Sequence, residues 1–413
     1  MRITIIALCW EDELVPLLHL GVALQGRGHA ITCVTDALHA SLVASAGLLM
    51  VPLQDGTGQG EQRMEGRQTA ISVKDALTVL FDRNVRQWGR RCSAVCRGVD
   101  LVIGFGLTTY VAACVAEAVA SAFLEVVLSP RPFLIAAPEV QKSLAGFWMM
   151  QRKAINMQLR PMLGLTPYPE EGPHRILRAK RTPMLCAFDS SLVARCGQLP
   201  AHVRATGFIR APKEEQCVDP VVRAFCTADI PFVYVGFGKG GTRAEYDRLR
   251  AALEVVHGFK LRALVVASTG ARNQLLNFAS DVVMFVEEVS REWVLQRARM
   301  AIHQGGVSVV AEVSAGGIPS IVLPSAPDEH TWGQCLAERG IALTVGVEGH
   351  SSTPLVVSQL VAIVAARLAS DRNMFTRKAF GDRSGCHVSC LQIEEWFGVD
   401  SKSSAIEQGG VQW

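Results

Sequence analysis

The sequence predicts an α/β protein of two doubly wound, Rossmann-like domains. Short β-rich runs alternate with amphipathic helical stretches, and the alternation restarts after an interruption near Ile209–Asp219. Strand after strand runs into a turn, commonly glycine-bearing, and then a helix, which is the order of parallel sheets.

The first strand is Ile3–Cys9, followed by a helix over Pro16–Arg27 and a second strand, Ile31–Thr35. Proline favours the first turn of a helix and glycine the position past its end, so Pro16 and Gly28 bracket that helix. Leu101–Gly104 is a buried strand and Tyr110–Ala120 the helix after it. Pro130–Pro183, rich in Pro, Met, Trp and Arg, shows no clear pattern and is expected to cover a cleft. Pro212 and a Lys-Glu-Glu run then break the alternation. Beyond them come the strand Phe232–Val235, the helix Arg243–His257 and the strands Ala263–Ala267, Val282–Val286 and Met300–His303. The expected organisation is a first domain over 1–208, a linker over 209–222, a second domain over 223–371, a helix within 372–398 and a tail over 399–413.

Composition excludes several classes. Hydrophobic residues make up 49% and charged residues 19% of the 413, which suits packed cores rather than disorder. With 41 Lys and Arg against 38 Asp and Glu, the net charge of +3 leaves no nucleic-acid footprint. The apolar run at the N-terminus is too short for a signal peptide, and Glu117 and Glu125 interrupt the best candidate for a membrane span. The 12 cysteines are scattered, and neither Cys92/Cys96 nor Cys386/Cys390 has a companion pair at zinc-site spacing. Reduced structural thiols in a cytoplasmic protein are therefore expected.

Two glycine motifs compete as ligand sites. Gly236-Phe-Gly238-Lys239-Gly-Gly241 matches G-x-G-x-x-G between a strand and a helix, where glycines let a backbone approach a pyrophosphate. The next strand, however, ends in Ser268-Thr269-Gly270, without the acid that would hold a ribose. Nor is this a Walker loop, because Gly240 stands where Ser or Thr is needed. The second motif is longer. A strand ends in His303-Gln304-Gly305-Gly306, and a helix opens at Val307-Ser308. The amides of Val307, Ser308 and Val309 can cradle a phosphate at the positive end of that helix. Downstream, Ser320–Leu323 delivers Asp328 and Glu329 to the same carboxyl edge of the sheet, where open α/β sheets bind ligands.

This second stretch resembles the donor signature of the family 1 nucleotide-sugar-dependent glycosyltransferases, in particular the branch of sterol and bacterial antibiotic glycosyltransferases. Trp293 lies ten residues before His303 of the H-x-G-G motif, and Gly317-Ile-Pro319, Asp328-Glu329 and Trp332-Gly333 follow in the family's order. The resemblance reaches both ends of the chain through Pro16, Arg27-Gly28-His29 and the strand Phe232–Gly238. It implies the GT-B fold, with two facing Rossmann-like domains and a C-terminal helix that crosses back to the N-terminal one. It further implies that Trp293 stacks on the nucleotide base and that His303, Gly305, Gly306 and the amides after them hold the diphosphate. Asp328 and Glu329 would then bind sugar hydroxyls. The implied reaction is inverting and uses neither metal nor cofactor. A nucleoside diphosphate sugar, UDP- or dTDP-linked, is the co-substrate, and the acceptor is a lipophilic small molecule such as a polyketide, sterol, terpenoid or phenol.

The family places its base, His or Asp, three residues before the proline of the first helix. Here that position holds Glu13, with Asp12 beside it as the other candidate. A partly buried carboxylate with a raised pKa suits the role. Three departures bear on donor handling. Val307-Ser-Val-Val310 replaces a run of small residues, and its β-branched groups are expected to crowd a phosphate. Lys239 stands where the family has Ser, and Glu329 replaces Gln. These departures keep open an alternative, a catalytically silent relative that binds nucleotide or assists a partner enzyme. Plainer readings also stand beside the site assignments: Trp293 as a core anchor, His303 as a satisfied core histidine, and Asp328-Glu329 as a solvated helix cap. Phe147-Trp148-Met149-Met150 with Arg152 and Lys153 is either core packing with a basic edge, an acceptor wall, or a face that touches membranes transiently. Acceptor loops are expected around Gly56–Ile71 and Pro130–Met184.

Overall fold

A computed structural model of the chain describes residues 1–54, 73–130, 138–193, 199–210, 218–238, 243–345, 358–364 and 385–398. The chain divides into two compact units. One comprises Met1–Phe188, Arg195–Arg210 and Arg383–Trp413, and the other Asp189–Ala194 and Ala211–Asp382. The expected loop at Gly56–Ile71, the heart of the 209–222 linker, Lys239, the N-terminal part of the 372–398 helix and the 399–413 tail lie outside the described residues.

The first unit opens with β1 (Arg2–Leu8), α1 (Glu11–Gly26), β2 (Ala30–Thr35), α2 (Ala40–Ser45) and β3 (Leu49–Pro52). It continues with α3 (Val73–Val95), β4 (Leu101–Gly106), α4 (Thr109–Ala118), β5 (Ala122–Val127) and α5 (Pro138–Ala154). A π-helical stretch, Ile155–Leu159, then leads to α6 (Pro173–Ala179), β6 (Met184–Cys186) and β7 (Val203–Ala205). The strands form one parallel sheet in the order β3-β2-β1-β4-β5-β6-β7. Its core on one face joins Ile6, Val34 and Val102 to Phe81, Val85 and Trp88 of α3, to Val111 and Val115 of α4 and to Trp148 of α5.

Two expectations need correction here. Pro16 does not open the first helix. The helix begins five residues earlier at Glu11, and Pro16 lies inside it. Proline lacks the N–H that would bond back to the carbonyl at Asp12, but so close to the start a helix tolerates that loss better than in its middle. The stretch Pro130–Pro183 is not irregular where it is described. It is largely helical, with Trp148 buried against Tyr110 and Tyr168 and its indole N–H donated to the Glu170 carbonyl at 2.8 Å. Arg152 pairs with Glu170 and Lys153 with Asp82, so the Phe147–Lys153 cluster is core packing with a charged edge, although Met149 remains exposed.

The second unit runs α7 (Pro220–Thr227), β8 (Val233–Gly236), α8 (Arg243–Gly258), β9 (Ala263–Val266), α9 (Thr269–Gln274) and β10 (Val283–Val286). It then runs α10 (Arg291–Leu295), β11 (Met300–His303), α11 (Val307–Gly316), β12 (Ser320–Val322), α12 (Pro327–Glu338) and β13 (Ala342–Thr344). Its parallel sheet has the order β10-β9-β8-β11-β12-β13. The chain winds outward one way from β8, then returns and winds the other way from β11. The carboxyl ends of β8 and β11 therefore flank the topological switch point, where such sheets bind ligands. In the first unit β1 and β4 occupy the same positions.

The helix α13 (Gly385–Phe397) belongs to the first unit and packs on α1. Glu394 clasps that contact. One oxygen accepts from Arg27 Nε at 2.7 Å and lies 3.0 Å from His29 Nε2, and the other accepts from Arg27 Nη2 at 2.5 Å. The Arg27 hydrogen bonds come first among the forces that hold this carboxyl down at about 2, against an ordinary 4.5. Because the folded state favours the ionised form, its contribution is complete above pH 4.5 and disappears as the pH falls toward 2. Glu394→Gln is thus expected to lower the melting temperature at pH 7 and to leave it nearly unchanged at pH 2. Paired thermal melts would read that difference.

Candidate donor site

β11 ends at His303, whose register partners are Gly236 of β8 and Val322 of β12. This brings both glycine motifs to one edge. Gly305 adopts φ +96°, a region that only glycine enters without strain, and Gly238 has φ +68°. A Cβ on Gly305 would stand 3.0 Å from the Glu329 carbonyl oxygen, so the start of α12 lies directly against the turn. A Cβ on Gly238 would meet Glu245 at 3.1 Å and the Gln304 amide at 4.0 Å.

The chemistry centres on His303. The ring is fully buried. Its Nδ1 accepts the Gly305 N–H at 3.0 Å, which places the ring proton on Nε2, and Nε2 has no hydrogen-bond partner. Burial first, and then the positive charge of Arg291, push the imidazole down to about 3, so at neutral pH it is an uncharged donor. An unpaired buried N–H costs about 1–3 kcal/mol, a cost that an incoming acceptor oxygen would relieve. Gly306 is the N-cap of α11 and offers no side chain to the first-turn amides. Helix polarity makes that end attractive to an anion.

Val307, Val309 and Val310 are buried, and Ser308 is the partly exposed residue of that turn.

Glu329 is also more committed than its family position implies. It sits at the third position of α12, and its Oε2 accepts from Ser325 N (2.6 Å), Ser325 Oγ (2.7 Å) and Ala326 N (2.9 Å). Burial raises this carboxyl above its usual range, while those bonds and the nearby Arg248 oppose the rise. Asp328 lies beside it in the first turn, partly buried. Sequence reading missed Arg248. From α8 its guanidinium donates to the Pro324 carbonyl at 2.8 Å and braces the loop that carries these acids. No motif marks it, because its partner is a main-chain oxygen 76 residues away.

Trp293 is half-buried on α10, the helix that precedes β11. Arg297 stacks 3.8 Å from its ring centre and donates to the Trp293 carbonyl at 2.8 Å, and Arg223 lies 5.5 Å from the ring. A nucleobase on this indole would share it with two cations. Glu13 and Asp12 belong to the other unit, in the first turn of α1 at the carboxyl end of β1. Glu13 Oε2 accepts the Trp10 N–H at 3.2 Å, so it serves as a helix cap.

No family model matches the chain. The chain is 22% identical over 439 residues to the O-mycaminosyltylonolide 6-deoxyallosyltransferase of Streptomyces fradiae, covering 99% of this chain and 100% of that protein. Among solved structures it is similar to the calicheamicin glycosyltransferase CalG4, with a TM-score of 0.71 and 16% identity over 96% of this chain and 98% of that one. The glycosyltransferase VinC in complex with dTDP gives a TM-score of 0.60 at 17% identity, over 98% and 99% of the two chains. The chain is a glycosyltransferase of the GT-B fold. In this glycosyltransferase the resemblance read from Trp293 to Gly333 coincides with the edge where the second sheet reverses direction. Among the described residues, no helix is long and apolar enough to cross a membrane.

Proposed function

We propose that the enzyme transfers a sugar from a UDP- or dTDP-sugar to a hydroxyl of a lipophilic small molecule, with inversion and without a metal. The observation that carries the donor half is the neutral, buried His303 with an unpartnered Nε2–H beside an uncapped helix end. Together they supply oriented donors for a diphosphate whose charge grows as the bond from the anomeric carbon to the phosphate oxygen breaks. Trp293 would take the base, Gly238 and Lys239 the edge of the phosphates, and Asp328 and Glu329 the sugar. The bonds that hold Glu329 Oε2 fix the direction of that carboxylate, which suits orientation of a hydroxyl. The dTDP bound by VinC supports the choice of nucleotide. A natural-product acceptor is supported by the relatives' printed substrates.

On the acceptor side, Glu13 takes the hydroxyl proton while the oxygen attacks the anomeric carbon from the face opposite the leaving diphosphate. Glu13→Gln is expected to lower turnover at least about 100-fold and to leave nucleotide affinity unchanged, whereas Asp12→Asn keeps most of the activity. The reverse pattern would transfer the role of base to Asp12. The donor half is tested first by thermal shift. UDP or dTDP at 100 times its Kd should stabilise the fold by about 2.7 kcal/mol, and absence of a shift with every nucleoside diphosphate at millimolar concentration would reject it.

A further inference from the structure

The first unit carries a cavity that plays no part in sugar transfer as described. Its volume is about 540 Å³, the size of a small-molecule pocket, and Arg181, Pro183, Pro200, Ala201, His202 and Trp396 line it. Pro183 directly precedes β6 and His202 directly precedes β7, so the cavity lies at the amino edge of the sheet, opposite the carboxyl ends of β1 and β4. Met184 N donates to the His202 carbonyl at 2.8 Å, which holds those two strand starts together. Trp396 comes from the last turn of α13. That helix is fixed by the Glu394 clasp and by Gly385, which packs so closely on the Gly207 and Phe208 carbonyls that no Cβ would fit. Three segments distant in sequence thus converge on one space.

The lining combines apolar surface with positive charge. Trp396 is half-buried, and the two prolines and Ala201 extend the surface it offers. Arg181 is exposed and makes no ion pair among the described residues. Burial first, and then the positive charges of Arg181 and Arg178, push the His202 imidazole down, so at neutral pH it is an uncharged ring near two guanidiniums. No carboxylate lines the cavity to balance them. The position of Arg181 is itself unusual. It stands just past α6 at φ +50°, a left-handed conformation that favours glycine, with its N–H on the Arg178 carbonyl and that of Thr182 on the Leu177 carbonyl. Glycine would close this helix without strain, so what the arginine adds is its side chain. A guanidinium can hold a carboxylate through two parallel hydrogen bonds, and an indole takes a second aromatic ring by stacking. An aromatic carboxylate satisfies both groups at once.

We propose that this cavity is a second ligand site, which binds a small aromatic carboxylate with its charge on Arg181 and its ring against Trp396. The site stands independently of the donor and acceptor readings. It is tested by isothermal titration of the full chain at pH 7 with 2-naphthoate and its neutral isostere 2-naphthamide. The anion should bind at least about tenfold more tightly than the amide, and excess dTDP should leave its binding unchanged. Arg181→Gly, which suits φ +50° and so keeps the fold, should erase the preference for the anion. Trp396→Leu should weaken both probes at least about fivefold. Absence of 2-naphthoate binding at millimolar concentration, equal binding of the two probes, or displacement of the anion by dTDP would overturn the assignment. So would a preference that survives Arg181→Gly, or affinities that Trp396→Leu leaves unchanged. The Arg181→Gly comparison decides the matter even if Trp396→Leu folds poorly.

Discussion

His303→Ala is expected to reduce sugar transfer by about 100- to 1,000-fold, the usual effect of removing one preorganised donor from a developing anion. The ring is anchored through Nδ1 to the Gly305 N–H, so its other nitrogen points a proton wherever the strand and turn aim it. Loss of the ring deletes that donor and also strands the Gly305 N–H, at a cost in stability of about 1–3 kcal/mol. Thermal melts would separate this cost from the loss of catalysis. The pH dependence gives a sharper check. With the imidazole held down to about 3, binding of a nucleotide sugar, whose diphosphate has no proton to gain near neutrality, should stay flat between pH 8 and 5.5. A contact that needed an imidazolium would instead strengthen as the pH fell through 6.5. Stability follows a different rule. The unfolded chain protonates this histidine near 6.5 and the folded chain only near 3, so the group lowers stability progressively as the pH falls between those values.

Gly305→Ala should damage fold and binding together. At φ +96° any side chain is strained, and the new Cβ would lie 2.9 Å from Val322 Cγ1 and 3.0 Å from the Glu329 carbonyl oxygen. The second contact is to backbone, so relief requires α12 to move away from the turn. A loss of about 2–4 kcal/mol is expected, read by denaturant unfolding, together with loss of the dTDP thermal shift. Its neighbour provides the control. Gly306 has φ −60° and ψ 150°, open to every residue, so Gly306→Ala should keep its stability and weaken nucleotide binding alone. If both variants unfolded alike, the distinct roles drawn for the two glycines would be wrong.

Much of this was legible beforehand because it depends on local pattern. Met300–His303 is a strand with those same bounds, since an apolar run followed by two glycines permits little else. The repeated order of strand, turn and helix gave the two parallel sheets, and the two glycine motifs lie together at one edge of the second. Other features were not legible because they depend on partners distant in sequence. Nothing near Arg248 announces that it holds Pro324. The caps made by Glu13 and Glu329 require knowing where each helix starts, and the misplaced start of α1 at Pro16 shows how a proline can mislead. The side chains of Val307–Val310 pose the same difficulty. Whether a β-branched side chain faces a ligand or a core depends on the layer packed against its helix, and periodicity alone does not reveal that.

By itself, then, the sequence determined the class of fold, the edge of the sheet that carries the candidate donor motif and the residue types available there. These follow from periodicities of two and 3.6 residues and from the φ freedom of glycine. Only the tertiary structure decided the state of each group. Burial made His303 a neutral donor, because protonation depends on the surrounding dielectric and on neighbours brought in from elsewhere in the chain.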